Sequence, residues 1–283
     1  MKQREYTIRT MTRPEVEMAI DWAAAEGWNP GIADARCFFS ADPGGFLVGL
    51  LGAEPIATLS AVKYGAGFAF LGFYMVKPEH RGQGYGLRLW QAVLASLAGR
   101  TIGLDGVVGQ QENYRKSGFA LAYRNIRYQG SGGGRVPADP AIVPVASLPF
   151  AEILAYDQPF FPDDRGKFLQ CWLAQPQGTA LAIRHHGALA GYGVIRPCRS
   201  GYKIGPLFAD DPELATRLFL ALQGAVPAGS PIFLDTPERN AAAVALAAGQ
   251  RMTVAFETAR MYQGPCPDLP LDRLFGVTTF ELG

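Results

Sequence analysis

Val76-Lys77-Pro78-Glu79-His80-Arg81-Gly82-Gln83-Gly84-Tyr85-Gly86 follows a nearly continuous apolar run, Phe68 to Val76, and leads into a segment with Leu87, Trp90, Leu94 and Leu97 at helical spacing. A run that apolar predicts a strand buried on both faces. The stretch therefore reads as strand, glycine turn and helix. Glycines let the backbone approach a ligand with its N–H groups turned inward. The helix start adds unpaired donors and a partial positive charge. Together they favour a phosphate or pyrophosphate, and Arg81 adds a cation at the rim.

Working outward, Thr12 and Glu15 form a capping box. Val16, Ala19, Ile20 and Ala23 then share one helical face, and Gly27 stops the helix. Phe46 to Leu51 and Ile56 to Val62 read as a hairpin. After the glycine turn and its helix come strands at Ile102 to Asp105 and Phe119 to Tyr128. Gly130-Ser131-Gly132-Gly133-Gly134-Arg135-Val136-Pro137 has flexible-linker composition. Beyond it the order recurs. Thr179 to Arg184 and Ala188 to Ile195 form a hairpin through His185-His186-Gly187, and Tyr202 to Phe208 is a strand. A helix starts at Pro212, Ile232 to Asp235 repeats the Leu-Asp ending of Leu104-Asp105, and Arg251 to Tyr262 closes the half. This predicts a tandem duplication: residues 1–130, a linker at 131–137, and residues 138–283.

Composition narrows the function. Lys and Arg number 26 against 25 Asp and Glu, which removes the electrostatic drive toward nucleic acid or anionic membranes. Hydrophobic residues at 48% and charged residues at 18% exclude a disordered chain. No apolar run approaches the roughly 20 residues of a bilayer span, and MKQREYTIRT precedes no apolar stretch, so a cytoplasmic protein is expected. Glycine is the outlier, with 34 in 283 residues against a usual share of about 7%. Cys37, Cys171, Cys198 and Cys266 show no metal-ligand spacing and are expected to be packing thiols, with no metal site. No GxSxG elbow or GxxxxGK[ST] loop is present.

Two phosphate-binding patterns compete at the turn. A dinucleotide fold needs GxGxxG, but Gly82-Gln83-Gly84-Tyr85-Gly86-Leu87 puts Leu at the third glycine and follows an antiparallel hairpin. The other pattern is RxxGxG, Arg81 to Gly86. With Tyr114-Arg115-Lys116-Ser117-Gly118-Phe119 downstream, it resembles the pyrophosphate loop and Tyr-x-x-x-Gly-Phe ending of the GNAT acetyltransferases over about residues 6–130. The second half, and Glu26-Gly27-Trp28-Asn29-Pro30-Gly31 in the first, are similar to tandem GNAT proteins of the YitH type.

The resemblance implies an α/β (α+β) fold of tandem GNAT-like domains, each a mixed, largely antiparallel twisted sheet flanked by helices. It implies an acetyl-CoA-dependent N-acetyltransferase, in which a primary amine of a small molecule or protein attacks the thioester directly in a ternary complex. Tyr74, Met75, Val76 and Arg81 to Gly86, with Gln83 and Tyr85 among them, would bind acetyl-CoA. Tyr114 would protonate the leaving sulfur. Phe68 to Val76 lacks the acid that many members carry there, so Asp105 and then Glu112 stand as candidate bases, although Asp235 repeats Asp105 and suggests a structural role. Trp28 and Asn29 would line the acceptor pocket. In the second half Ala209-Asp210-Asp211-Pro212 replaces the glycine turn and Ala245 stands at the tyrosine's place, so one cofactor site per chain is expected. A monomer or homodimer fits, since fusing two units replaces a dimer interface. The alternative is a CoA-binding sensor or scaffold without catalysis.

Overall fold

The computed structural model describes residues 4–134 and 138–283. The first half contains β1 (Tyr6–Thr10), α1 (Arg13–Ala25), α2 (Asp34–Ala41), β2 (Phe46–Leu51), β3 (Glu54–Tyr64), β4 (Phe68–Val76), α3 (Tyr85–Ser96), β5 (Thr101–Val107), α4 (Gln111–Lys116) and β6 (Ala120–Ser131). The second contains β7 (Ile142–Pro144), α5 (Phe150–Asp157), α6 (Gly166–Leu173), β8 (Thr179–His185), β9 (Ala188–Pro197), β10 (Tyr202–Ala209), α7 (Pro212–Gly224), β11 (Pro231–Pro237), α8 (Ala241–Gly249), β12 (Thr253–Gln263) and β13 (Leu274–Gly276). The expected linker begins on the last residue of β6, and Arg135-Val136-Pro137 lie outside the described residues. No helix among the described residues is long and apolar enough to cross a membrane.

Local chemistry explains the element ends. The Thr12 N–H donates to the Glu15 carboxylate at 2.8 Å, and Gly27 turns the chain at φ +81°. His186 and Gly187, at φ +50° and +82°, make the tight turn between β8 and β9. Asp211 caps α7 by accepting from the Leu214 N–H at 2.8 Å, with Pro212 at the first helical position. The buried face of α3 is Leu89, Trp90 and Val93, with Leu97 buried just past its end, and Leu87 of the apolar sequence pattern is not on it. Leu87 is exposed, because the first turn of α3 overhangs a cleft.

The halves do not form two separate sheets. One sheet runs β1-β2-β3-β4-β5-β12-β6-β11-β10-β9-β8-β7, with β13 beside β10. Each half lends its last long strand to the other: β12 lies against β5, and β6 lies against β11. The exchange gives both edges of β6 and β12 a partner and leaves no open edge at the centre. Two reciprocal ion pairs lock it. Asp105 on β5 receives Arg260 of β12 at 2.8 and 2.6 Å, and Asp235 on β11 receives Arg127 of β6 at 2.7 Å twice. All four side chains are buried.

Apolar clusters line both faces of the sheet. One cluster gathers α1, α2 and α6 across the halves, with Phe38 stacked on Trp172. Within it the Cys37 and Cys171 sulfurs stand 2.7 Å apart, so these thiols pack as expected. Cys198 is also buried, but Cys266 is exposed, unlike the packing thiol expected there. After β13 the chain continues inward: Val277 to Gly283 are all buried.

Candidate active site

β4 and β5 pair only between Phe68–Leu71 and Thr101–Leu104, then diverge. On its other edge β4 carries a bulge. Thr58 faces Met75 and Ser60 faces Gly72, which leaves Phe73 and Tyr74 opposite Leu59 alone. Phe73 sits at φ +49°, and the Thr58 hydroxyl holds its carbonyl at 2.7 Å. Beyond the bulge the Lys77 N–H donates to Ile56 of β3 at 2.9 Å. Strand alternation then turns the Val76 N–H the other way, into the opening. The result is a cleft of about 1110 Å³ between β4, β5 and the start of α3.

The glycines of the turn serve different ends. Gly82 and Gly84 sit at φ +73° and +83°, with no heavy atom within 4 Å of where a side chain would begin. Gly84 is the N-cap of α3 and supplies no side chain to cap it, so the first-turn N–H groups face open space. Gly86 allows close packing, since a β-carbon there would stand 2.8 Å from Val76 Cγ2 and 2.9 Å from the Tyr74 hydroxyl.

The structure gathers most of the residues singled out by sequence. Tyr74, Met75, Val76, Arg81, Gly82, Gly84, Tyr85, Gly86, Tyr114, Asp105 and Trp28 line the cleft. The Tyr114 ring packs on Trp90, itself on Tyr74, and lies over Gly106, where a β-carbon would meet it at 2.3 Å. Burial, reinforced by Tyr74, pushes its hydroxyl up to about 12. The Tyr85 carbonyl accepts from Tyr6 at 3.1 Å. Arg81 is less free than its rim position suggested, since its Nε donates to the Val76 carbonyl at 2.8 Å and its guanidinium pairs with Glu26. Gln83 falls outside the lining and donates to the Glu79 carbonyl at 2.9 Å.

Besides Gln83, three expectations need correction. Asn29 does not face the cleft. It sits at φ +52° and clasps the β9–β10 turn of the other half, donating to the Ser200 carbonyl at 3.0 Å and accepting its N–H at 2.8 Å. Glu112 stands in solvent beside Arg115, outside the lining. Asp105 reaches the cleft wall, but both its oxygens are engaged by Arg260, and Asn125 adds a third bond at 2.8 Å. Burial lifts its carboxyl above the usual range while Arg260 opposes the shift, and a carboxylate gripped on both oxygens is poorly placed to take a proton.

Other lining residues carried no local signal. Arg127, Phe256, Thr258, Phe280 and Glu281 come from the exchanged strands and the segment after β13. That segment crosses β4 at Gly72, where a β-carbon would lie 2.3 Å from the Glu281 carbonyl.

The corresponding opening in the second half is shut. β10 and β11 also pair over a short stretch, Tyr202–Ile204 against Ile232–Leu234. Past it β13 fills the gap: Leu207 pairs with Gly276, Phe208 with Leu274, and the Val277 N–H donates to the Asp235 backbone carbonyl at 2.8 Å. At the α7 terminus the Asp211 carboxylate takes up the Leu214 N–H and places a negative charge where an anion would sit.

Comparison with known proteins accords with this arrangement. Residues 9–119 match the acetyltransferase (GNAT) family, and residues 153–276 match an acetyltransferase (GNAT) domain. The chain is 29% identical to holothin acyltransferase of Pseudoalteromonas sp., over 100% of this chain and 96% of that protein. A proposed acetyltransferase from Pyrococcus horikoshii superposes with a TM-score of 0.83 at 23% identity, covering 98% of this chain and 96% of that one. A tandem GNAT protein from the clavulanic acid biosynthesis pathway, solved without AcCoA, gives 0.65 at 17% identity, covering 93% and 100%. With a family match in each half and a cleft built at the opened strand of the first, the chain belongs to the GNAT acyltransferase superfamily as a tandem GNAT protein.

Proposed function

We propose that the chain is an acetyl-CoA-dependent N-acetyltransferase acting on a primary amine in a ternary complex, with residues 1–130 carrying the cofactor side and residues 138–283 shaping the acceptor side. The observation that supports it most is the opened β4–β5 edge beside an uncapped helix start, with Tyr114 on the wall. The open space around Gly82 and Gly84 fits a pyrophosphate. These glycines and the first turn of α3 would hold it, and the Val76 N–H would face the acyl carbonyl. Acetyl-CoA, when bound, supplies an activated acyl group. Tyr114 keeps its proton at neutral pH and is the donor for the leaving sulfur.

Two measurements test the reading. Titration calorimetry should show one acetyl-CoA per chain, because β13 occupies the second opening; two per chain would overturn the asymmetry. Tyr114→Phe should lower turnover about a hundredfold while the acetyl-CoA Kd stays unchanged, as expected for loss of a general acid. Unchanged turnover removes Tyr114 from the reaction. The acceptor panel should include alkyl and aromatic amines and, given the Pseudoalteromonas relative's name, holothin. The absence of an acid on β4 and the commitment of Asp105 to Arg260 favour a sensor as the second reading. Acetyl-CoA binding without turnover of any acceptor would select it.

A further inference from the structure

Three acids line the cleft among the described residues: Glu26, Asp105 and Glu281. Glu26 pairs with Arg81, and Asp105 with Arg260. Glu281 pairs with no cation in contact; one oxygen, Oε2, accepts from the Thr279 hydroxyl. It is buried, and it arrives where β4 has no acid of its own, because the backbone of Glu281 lies against Gly72 at the start of the bulge.

Its surroundings explain how a carboxylate is held there without an arginine clamp. Arg127 on β6, Arg196 on β9 and Lys203 on β10 all bear on it electrostatically. Arg127 is matched by Asp235 and Arg196 by Asp34, each bidentate. Lys203, buried and with its pKa lowered by that burial, is the cation left to balance Glu281. Arg127 also lies along an apolar wall of the cleft. It stacks on Phe280 and Phe256, 4.8 and 5.9 Å from the ring centres, and donates to the Trp28 carbonyl at 2.8 Å.

We infer that Glu281 is the acceptor-side acid of the cleft, holding a primary ammonium carried on a compact apolar or aromatic body and taking its proton. The assignment rests on the acyltransfer reading above. One N–H bond of the ammonium breaks, one O–H bond forms on the carboxylate, and the nitrogen keeps the electron pair as a neutral amine. Trp28, Phe256 and Phe280 provide the wall against which the apolar body packs.

The test uses 2-phenylethylammonium and the full chain without cofactor. Wild type should bind it in calorimetry, and Glu281→Gln should weaken binding at least tenfold while leaving the acetyl-CoA Kd unchanged. With acetyl-CoA present, Glu281→Gln should lose about a hundredfold in turnover at pH 7. That loss should shrink as pH rises toward the acceptor's own pKa, about 10 for an alkyl ammonium, because solvent then delivers the neutral amine. Glu281→Asp, which keeps the charge, should fall between. If Glu281→Gln is unstable, adding Lys203→Met restores the buried charge balance, and the binding defect should persist. Equal amine binding and turnover by wild type and Glu281→Gln would overturn the assignment, as would no binding of the amine by wild type. Failure of wild type to bind acetyl-CoA, measured separately, would instead overturn the underlying reading and the catalytic half of the assignment with it.

Discussion

Gly84→Val should weaken acetyl-CoA binding at least about a hundredfold in calorimetry, equivalent to about 2.7 kcal/mol, while the chain stays folded. Two effects combine. Gly84 sits at φ +83°, a region that costs an L-residue about 1–2 kcal/mol and a β-branched one more. Relief of that strain would rotate the peptide that opens α3 and turn its N–H groups away from the cleft. The new side chain would also project into the space that Gly84 leaves free. Gly99 supplies the control, because it has nearly the same backbone, φ +84°, and the same open surroundings beyond the other end of α3. Gly99→Val should lose comparable stability and bind acetyl-CoA normally. Equal binding by both variants would show that the turn does not hold the cofactor.

The parts of the site legible in the sequence are those set by neighbours along the chain. Gly82 and Gly84 announce a backbone that only glycine adopts easily, and Asp211-Pro212 announces a capped helix in the second half; both are decided within one turn. Tyr114 is placed by Gly118, which ends its short helix at φ +86°. What could not be read is what crosses between halves. Asp105 and Asp235 were visible as a repeated Leu-Asp ending, yet their partners are 155 and 108 residues away, on strands exchanged between the units. Asn29 shows the same limit, since an Asn after a helix-stopping glycine reads as a loop tip and its target is a turn more than 160 residues on. Phe280-Glu281-Leu282 fits no motif. Its meaning comes from β13, which docks in the closed opening of one half and thereby aims the following residues at the open cleft of the other.

That cross-half logic sets the second large effect. Asp105→Ala should destabilise the chain by about 3–5 kcal/mol in urea unfolding, because Arg260 would remain buried without a counter-charge. Asp235→Ala should cost a similar amount by stranding Arg127, although Asp235 does not line the cleft. Replacing a whole pair, as in Asp105→Leu with Arg260→Met, should recover most of the loss, since removing both charges also removes their desolvation penalty. Near-additive single effects would instead mean that the pairs do not couple the exchanged strands. The same site separates structure from catalysis. Asp105→Asn keeps the shape of the side chain, and turnover per folded chain should fall less than tenfold. A hundredfold fall with acetyl-CoA binding intact would restore Asp105 as the base. A loss confined to stability, matched by Asp235, means that duplication preserved this aspartate in both halves for the strand exchange, and that the proton-accepting acid must come from elsewhere in the cleft.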